Sequence, residues 1–175
     1  MNCPWVSLSN GIYHCVGIKS NGVAYSWGYS PHGQLGISPD SFTKIQTSLI
    51  SKQSTIKDSE GTYPILKMPI ELSDSDLLDK NKWQPLIPVP HPISSPTKFI
   101  SVSCGAFHTV LVAEGGDLWG CGVTKNGRLG VTKEQVGEGK WFVDAVVKIG
   151  VSEAGERVGV KEAHCGNEFT LVLTE

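Results

Sequence analysis

The sequence predicts an all-β chain made of repeated antiparallel units, and three observations carry that prediction. The first is repetition: Ser7–Ile37 and Ser101–Val131 align without a gap at an offset of 94 residues, and self-similarity of this kind means one supersecondary unit used more than once. The second is glycine placement, because Gly11, Gly22, Gly28, Gly33 and Gly36 fall on Gly105, Gly116, Gly122, Gly127 and Gly130. Glycine at fixed places in a repeat marks positive φ or close backbone approach, which means turns and strand ends. The third is what lies between the glycines: short apolar runs bounded by turn residues.

In chain order, His14–Ile18 reads as a strand, Ser20-Asn21-Gly22 as a tight turn with the Asn-Gly signal, and Val23–Trp27 as the returning strand. A second turn, Gly28 to Gly33, leads into Gln34-Leu35-Gly36, where Leu35 reads as a plug beneath the loop. The second unit repeats this with Thr109–Ala113, a Glu114-Gly115-Gly116-Asp117 turn, Leu118–Cys121, the Gly122 to Gly127 turn and Arg128-Leu129-Gly130. His14, Val16 and Leu35 fall on His108, Val110 and Leu129. A third copy begins at Cys165-Gly166-Asn167-Glu168-Phe169-Thr170, which overlays Cys104-Gly105-Ala106-Phe107-His108-Thr109 at an offset of 61. A unit this small cannot bury its apolar face alone and must stack on neighbours. Radial stacking into a β-propeller is the arrangement that leaves few open strand edges.

The wording of the units resembles the repeats of the regulator of chromosome condensation family: a Cys/Ser-Gly-x-x-His-[Thr/Ser] run, a hairpin glycine, Trp-Gly and Gly-Gln-Leu-Gly. Those elements are Ser9–His14, Gly22, Trp27-Gly28 and Gly33–Gly36 in the first copy. In the second they are Cys104–Thr109, Gly116, Cys121-Gly122 and Gly127–Gly130. The departures are Cys121 at a tryptophan position, Arg128 at a glutamine position and Phe169 at the third histidine. The resemblance implies four-stranded antiparallel blades in a seven-bladed ring, of which two full repeats and one partial repeat are present. The remaining blades are therefore expected from sequence outside this chain. A wedge standing alone would expose strand faces that pair with another chain or aggregate, and several copies assembling a ring is the further alternative.

The excess of the first offset over the second places an insertion between the repeats. The expected division is a first repeat over 1–40, a polar insertion over 41–82 forming a flexible loop, a second repeat with its leading strand over 83–135, and a connection with the partial third repeat over 136–175. The insertion is rich in Ser, Thr, Lys and Asp and buries too little to order itself cheaply. Within it, Leu72–Asp79 reads as a short helix capped by Ser73 or Ser75. After it, the prolines of Trp83–Pro92 favour an extended, edge-type path.

Net charge is −2, with an isoelectric point near 6.2, so no bulk basic field exists to hold a phosphate backbone, and direct nucleic-acid binding is not expected. No apolar stretch approaches the roughly 20 residues that span a bilayer. Cys3, Cys15, Cys104, Cys121 and Cys165 make an odd count without a Cys-x-x-Cys pair, which fits reduced thiols in cytoplasm or nucleus. Close ligand pairs are missing among Cys104, Cys165, His14, His108 and His164, so no metal site is predicted.

His14 and His108 carry a chemistry suited to acid, base or ligand work. A catalytic residue need occur once, however, and these occur in both copies, so they read as structural polar groups tying blade to loop. The same reasoning assigns Gly11, Gly22, Trp27, Gly28, Gly33, Leu35, Gly36, Gly105, Gly116, Gly122, Gly127, Leu129, Gly130 and Gly166 to the scaffold. Tyr25 and Trp119 read as packing between blades. No nucleophile motif, phosphate loop or cofactor fingerprint is present, so no enzyme and no cofactor is predicted. The expected function is a protein-protein interaction module whose loops contact a protein partner. The alternative implied by the resemblance is guanine-nucleotide exchange on a small, Ran-like GTPase, an activity of a longer parent protein.

Overall fold

The computed structural model describes residues 3–53, 86–153 and 155–175, and those residues form two four-stranded antiparallel sheets, a two-stranded sheet and a small hairpin. The first sheet runs β1 (Trp5–Asn10), β2 (His14–Lys19), β3 (Ala24–Tyr29) and β4 (Leu86–Pro92), in that spatial order. The second runs β5 (Phe99–Cys104), β6 (His108–Ala113), β7 (Leu118–Val123) and β8 (Phe142–Ile149). The hairpin of β9 (Ser152–Glu153) and β10 (Glu156–Arg157) then leads to β11 (Val160–Cys165) and β12 (Thr170–Thr174), the third sheet. Antiparallel connections alternate between two ends. The β1–β2, β3–β4, β5–β6, β7–β8 and β11–β12 connections share one end, the upper face.

Register explains the shared sentence of the two repeats. His14 stands opposite Gly28, and His108 opposite Gly122. Gly28 and Gly122 have φ of 110° and 101°, and a Cβ on either would strike the carbonyl of Tyr13 or Phe107. Both demands exclude a side chain. Gly122→Ala should therefore lower stability by about 2 kcal/mol through backbone strain, read as a fall in the denaturation midpoint; an unchanged midpoint would show that the bend relaxes freely.

The sheets stack face to face through two equivalent apolar layers. Val16, Ile18 and Ala24 of the first sheet meet Phe99, Val102 and Leu111 of the second. Val110, Val112 and Leu118 of the second sheet in turn meet Val160 and Ala163 of the third. The β-branched alternation of β6 puts Val110 and Val112 on one layer and Leu111 on the other, so the strand is buried throughout. Each such side chain contributes on the order of 2 kcal/mol by leaving water.

Two expectations need correction. Residues 41–53 are not loop: α1 spans Pro39–Gln53. Pro39 occupies the first turn, where a missing N–H costs nothing, Asp40 adds a favourable acid there, and the Phe42 N–H donates to the Ser38 carbonyl at 2.8 Å. Phe42 and Ile45, one turn apart, pack with Leu35, Ile37 and Ile87, a separate small core beneath the β3–β4 connection. The rest of the insertion, with its expected helix over Leu72–Asp79, lies outside the described residues. The expected division at residues 82 and 135 also fails to follow the sheets, because β4 completes the first sheet and β8 the second. The repeat motif lies on three strands of each sheet; the fourth is an edge strand without it, and in β4 prolines at 88, 90 and 92 occupy that edge. With α1 and the four-residue α2 (Lys133–Val136), the fold is nearly, rather than wholly, β.

Candidate interaction face

The histidines of the repeat are joined to the next sheet by a two-bond relay. The Thr109 hydroxyl donates to the Gln34 carbonyl at 2.8 Å and stands 2.9 Å from His14 Nε2. With its proton already committed, Thr109 Oγ1 accepts, so His14 carries its proton on Nε2. The same construction recurs at the next joint, where Thr170 donates to the Arg128 carbonyl at 2.7 Å and meets His108 Nε2 at 3.1 Å. A second repeated bond runs beside it: Ser9 Oγ accepts from the Cys104 N–H at 3.0 Å, and Ser103 Oγ from the Cys165 N–H at 2.9 Å. Each histidine ring folds over a glycine, Gly11 or Gly105, and Gly166 lies the same way under Phe169.

Both rings are neutral at physiological pH. Burial holds His14 down to about 4, with His108 nearby adding to the effect. His108 is likewise lowered to about 4, by burial first and then by the Arg128 charge. Geometry agrees, because Nδ1 of each ring is buried and has no hydrogen-bond partner among the described residues. A bare acceptor there is cheaper than an unpaired N–H. Burial pushes the Cys104 thiol up to about 12 and Cys121 higher still, so neither forms a nucleophilic thiolate. Among the described residues no group of three His, Cys, Asp or Glu is placed to hold a metal ion.

The upper face carries a ridge of aromatic side chains, of which Tyr13 and Trp141 are exposed. Tyr13, from the β1–β2 connection, meets Tyr29 edge-on at 6.0 Å and Phe107 of the β5–β6 connection at 6.1 Å. His32, from the β3–β4 connection, packs on Phe107 at 5.6 Å and on Trp141 at 4.5 Å. Lys125 sets its ammonium 4.4 Å from the Trp141 ring centre. The ridge crosses from the first sheet to the second and is bordered by Ile12, which is exposed like Tyr13 and Trp141. Beside it a cleft of about 320 Å³ opens between Tyr29, Pro31, Phe42 and Phe142, with Asp144 at its edge. Burial lowers the His32 pKa, so its ring belongs to the ridge as a neutral aromatic.

A sequence model of the regulator of chromosome condensation (RCC1) repeat matches residues 99–129, the span from β5 to the turn after β7. The second sheet thus carries an RCC1 repeat. The chain is 31% identical over 75 residues to the mouse secretion-regulating guanine nucleotide exchange factor, covering 43% of this chain and 14% of that protein. Among solved structures it resembles Prp20p of Saccharomyces cerevisiae, described with its binding to Gsp1p and histones, at a TM-score of 0.67 and 19% identity, over 99% of this chain and 31% of that one. Yeast RCC1 (Prp20) bound to Kap60 matches at 0.60 and 17%, over 95% and 29%. Human WBSCR16 also matches at 0.60 and 17%, over 99% and 31%. The chain thus spans about a third of these structures and a smaller share of the mouse relative. Its sheets are blades of a partial RCC1-type β-propeller.

Placed on the RCC1-like blades, the residues singled out from sequence separate by depth. His14, His108, Leu35 and Leu129 are buried. Trp119 packs between the first two blades against Phe99, while Tyr25 and Trp27 lie with Trp5 on the far side of the first blade. None of the singled-out residues joins the ridge, which is built from Tyr13, Phe107, His32 and Trp141. Tyr13 and Phe107 occupy the same repeat position, so a signal existed: an aromatic beside the motif histidine in both full copies. His32 and Trp141 do not repeat, and only folding brings them together.

Proposed function

We propose that this RCC1-like segment is a protein-interaction module and that the upper-face aromatic ridge is its contact surface. The observation that supports this reading is the division of labour within each repeat: motif histidines and threonines are used up in the blade-to-blade relay, while Tyr13 and Trp141 stand exposed and are linked through the half-buried rings of Phe107 and His32. Exposed aromatics with a neighbouring cation are the composition of interface anchors, which contribute binding energy when a partner excludes water from them. The motif residues then serve as scaffold, and the partner is a protein in the cytoplasm or nucleus.

Trp141→Ala is expected to weaken capture of a protein partner about 30-fold, the ~2 kcal/mol scale of an aromatic anchor, without changing the denaturation midpoint by a comparable amount. Affinity purification followed by titration of the captured protein would measure this. Equal capture by wild type, Trp141→Ala and Tyr13→Ala would remove the ridge from the interface. The name of the mouse relative raises a second reading, nucleotide exchange on a Ran-like GTPase. That reading concerns a longer parent protein, and release of labelled GDP from a panel of small GTPases would test it there.

A further inference from the structure

Three serines of the chain stand directly before a proline: Ser30, Ser38 and Ser95. The fold treats them differently. Ser30 is buried, and its hydroxyl accepts the Leu35 N–H at 3.2 Å, inside a turn whose Gly33 lies close against the Val143 carbonyl. Ser38 accepts the Phe42 N–H on its carbonyl at 2.8 Å and donates its hydroxyl to Ser41 at 3.0 Å. The chain after it is α1, so Pro39 and Asp40 would have to unwind before that segment could lie extended. Ser95 belongs to the connection between β4 and β5, outside any strand or helix, and is half-buried between the exposed residues Ser94 and Pro96. Its hydroxyl is held by a single long bond among the described residues, accepted from the Thr97 N–H at 3.3 Å.

The surroundings of Ser95 suit an added anion. A residue before proline is driven to extended backbone, and here nothing helical follows to oppose it. Ser95 and Thr97 line an open cleft of about 250 Å³ beside Gly22, Val23 and Phe99, which leaves room for further oxygens. Lys98, three residues after Ser95, packs its stem on Gly22, is exposed, and makes no ion pair among the described residues. The corresponding positions after Ser30 and Ser38 are Gly33 and Ser41, which carry no charge. A phosphate on Ser95 could keep the Thr97 N–H and gain the Lys98 ammonium, both as charge-assisted bonds.

We propose that Ser95 is a phosphorylation site for a protein kinase that reads the proline after the serine and the cation beyond it. A kinase of that class holds its substrate extended and selects it by the charge pattern around the acceptor. Ser95 Oγ forms the bond to the γ-phosphorus of ATP, the hydroxyl proton passes to the kinase's catalytic aspartate, and ADP leaves. The product adds about two negative charges at the end of the blades opposite the aromatic ridge, so the mark lies on a face that the ridge does not use.

Incubating the purified, folded chain with a cyclin-dependent kinase and ATP, then mapping sites by mass spectrometry, is expected to place one phosphate on Ser95 and to leave Ser30 and Ser38 unmodified. Ser95→Ala should abolish uptake while Ser95→Thr retains it, which separates loss of the acceptor from loss of the fold. Lys98→Gln should slow uptake about tenfold, the scale of one charge-assisted contact, at an unchanged denaturation midpoint. Phosphate on Ser30 or Ser38 ahead of Ser95, or none on Ser95, would overturn the proposal. Equal rates for wild type and Lys98→Gln would overturn the assigned class of kinase.

Discussion

Thr109→Val should loosen the joint between the first two blades, lowering stability by about 3 kcal/mol. Valine matches threonine in shape, so packing is kept while two hydrogen bonds vanish. His14 Nε2–H loses its acceptor at 2.9 Å and the Gln34 carbonyl loses its donor at 2.8 Å. Both groups are buried, and a buried group left without its partner costs roughly 1–3 kcal/mol. The Gln34 carbonyl keeps a thiol contact from Cys121 at 3.4 Å, which softens that half of the loss. Thr109→Ser retains the hydroxyl and removes one methyl, so it should cost only about 1 kcal/mol. Denaturant unfolding of the three proteins checks the ordering; equal midpoints for valine and serine would mean that the relay contributes nothing.

The relay also shows where legibility ended. Repetition identified His14 and His108, and their recurrence alone argued for scaffold over catalysis. The hydroxyl that receives His14, however, lies 95 residues further on, and only the stacking of one blade on another chooses it. The same holds for Ser9 and the Cys104 N–H. No local spacing encodes a bond between strands of different sheets. With α1 the signal was local and present: Ser38-Pro39-Asp40 followed by Phe42 and Ile45 is a helix start with an apolar stripe. The polar composition of the insertion as a whole masked it. The aromatic ridge was half-legible, since Tyr13 and Phe107 repeat while His32 and Trp141 belong to connections whose paths the repeat does not specify.

Acid should unfasten both blade joints together, because a protonated ring keeps its bond to threonine but brings a charge and a second N–H into a buried place that compensates neither. An unfolded histidine titrates near 6.5, while His14 and His108 in the folded chain take a proton only near 4. Between those values the unfolded chain binds more protons, so stability falls as pH falls. The contribution is fully present above pH 6.5, declines through the window from 6.5 to 4, and is flat below it. Each histidine accounts for about 3 kcal/mol across the window, at about 1.4 kcal/mol per pH unit. Protonation would place an N–H on each Nδ1, which is buried without an acceptor among the described residues, so the charged ring has no local compensation. Glutamine can offer an N–H to the same hydroxyl and does not titrate. The double variant His14→Gln/His108→Gln should therefore start less stable at pH 7, through imperfect packing, yet lose far less on going to pH 4.5. Carboxylates titrate equally in both proteins, so the difference between the two stability-against-pH curves isolates the rings. Parallel curves from pH 6.5 to 4.5 would show that the histidines take up protons without opening the joint.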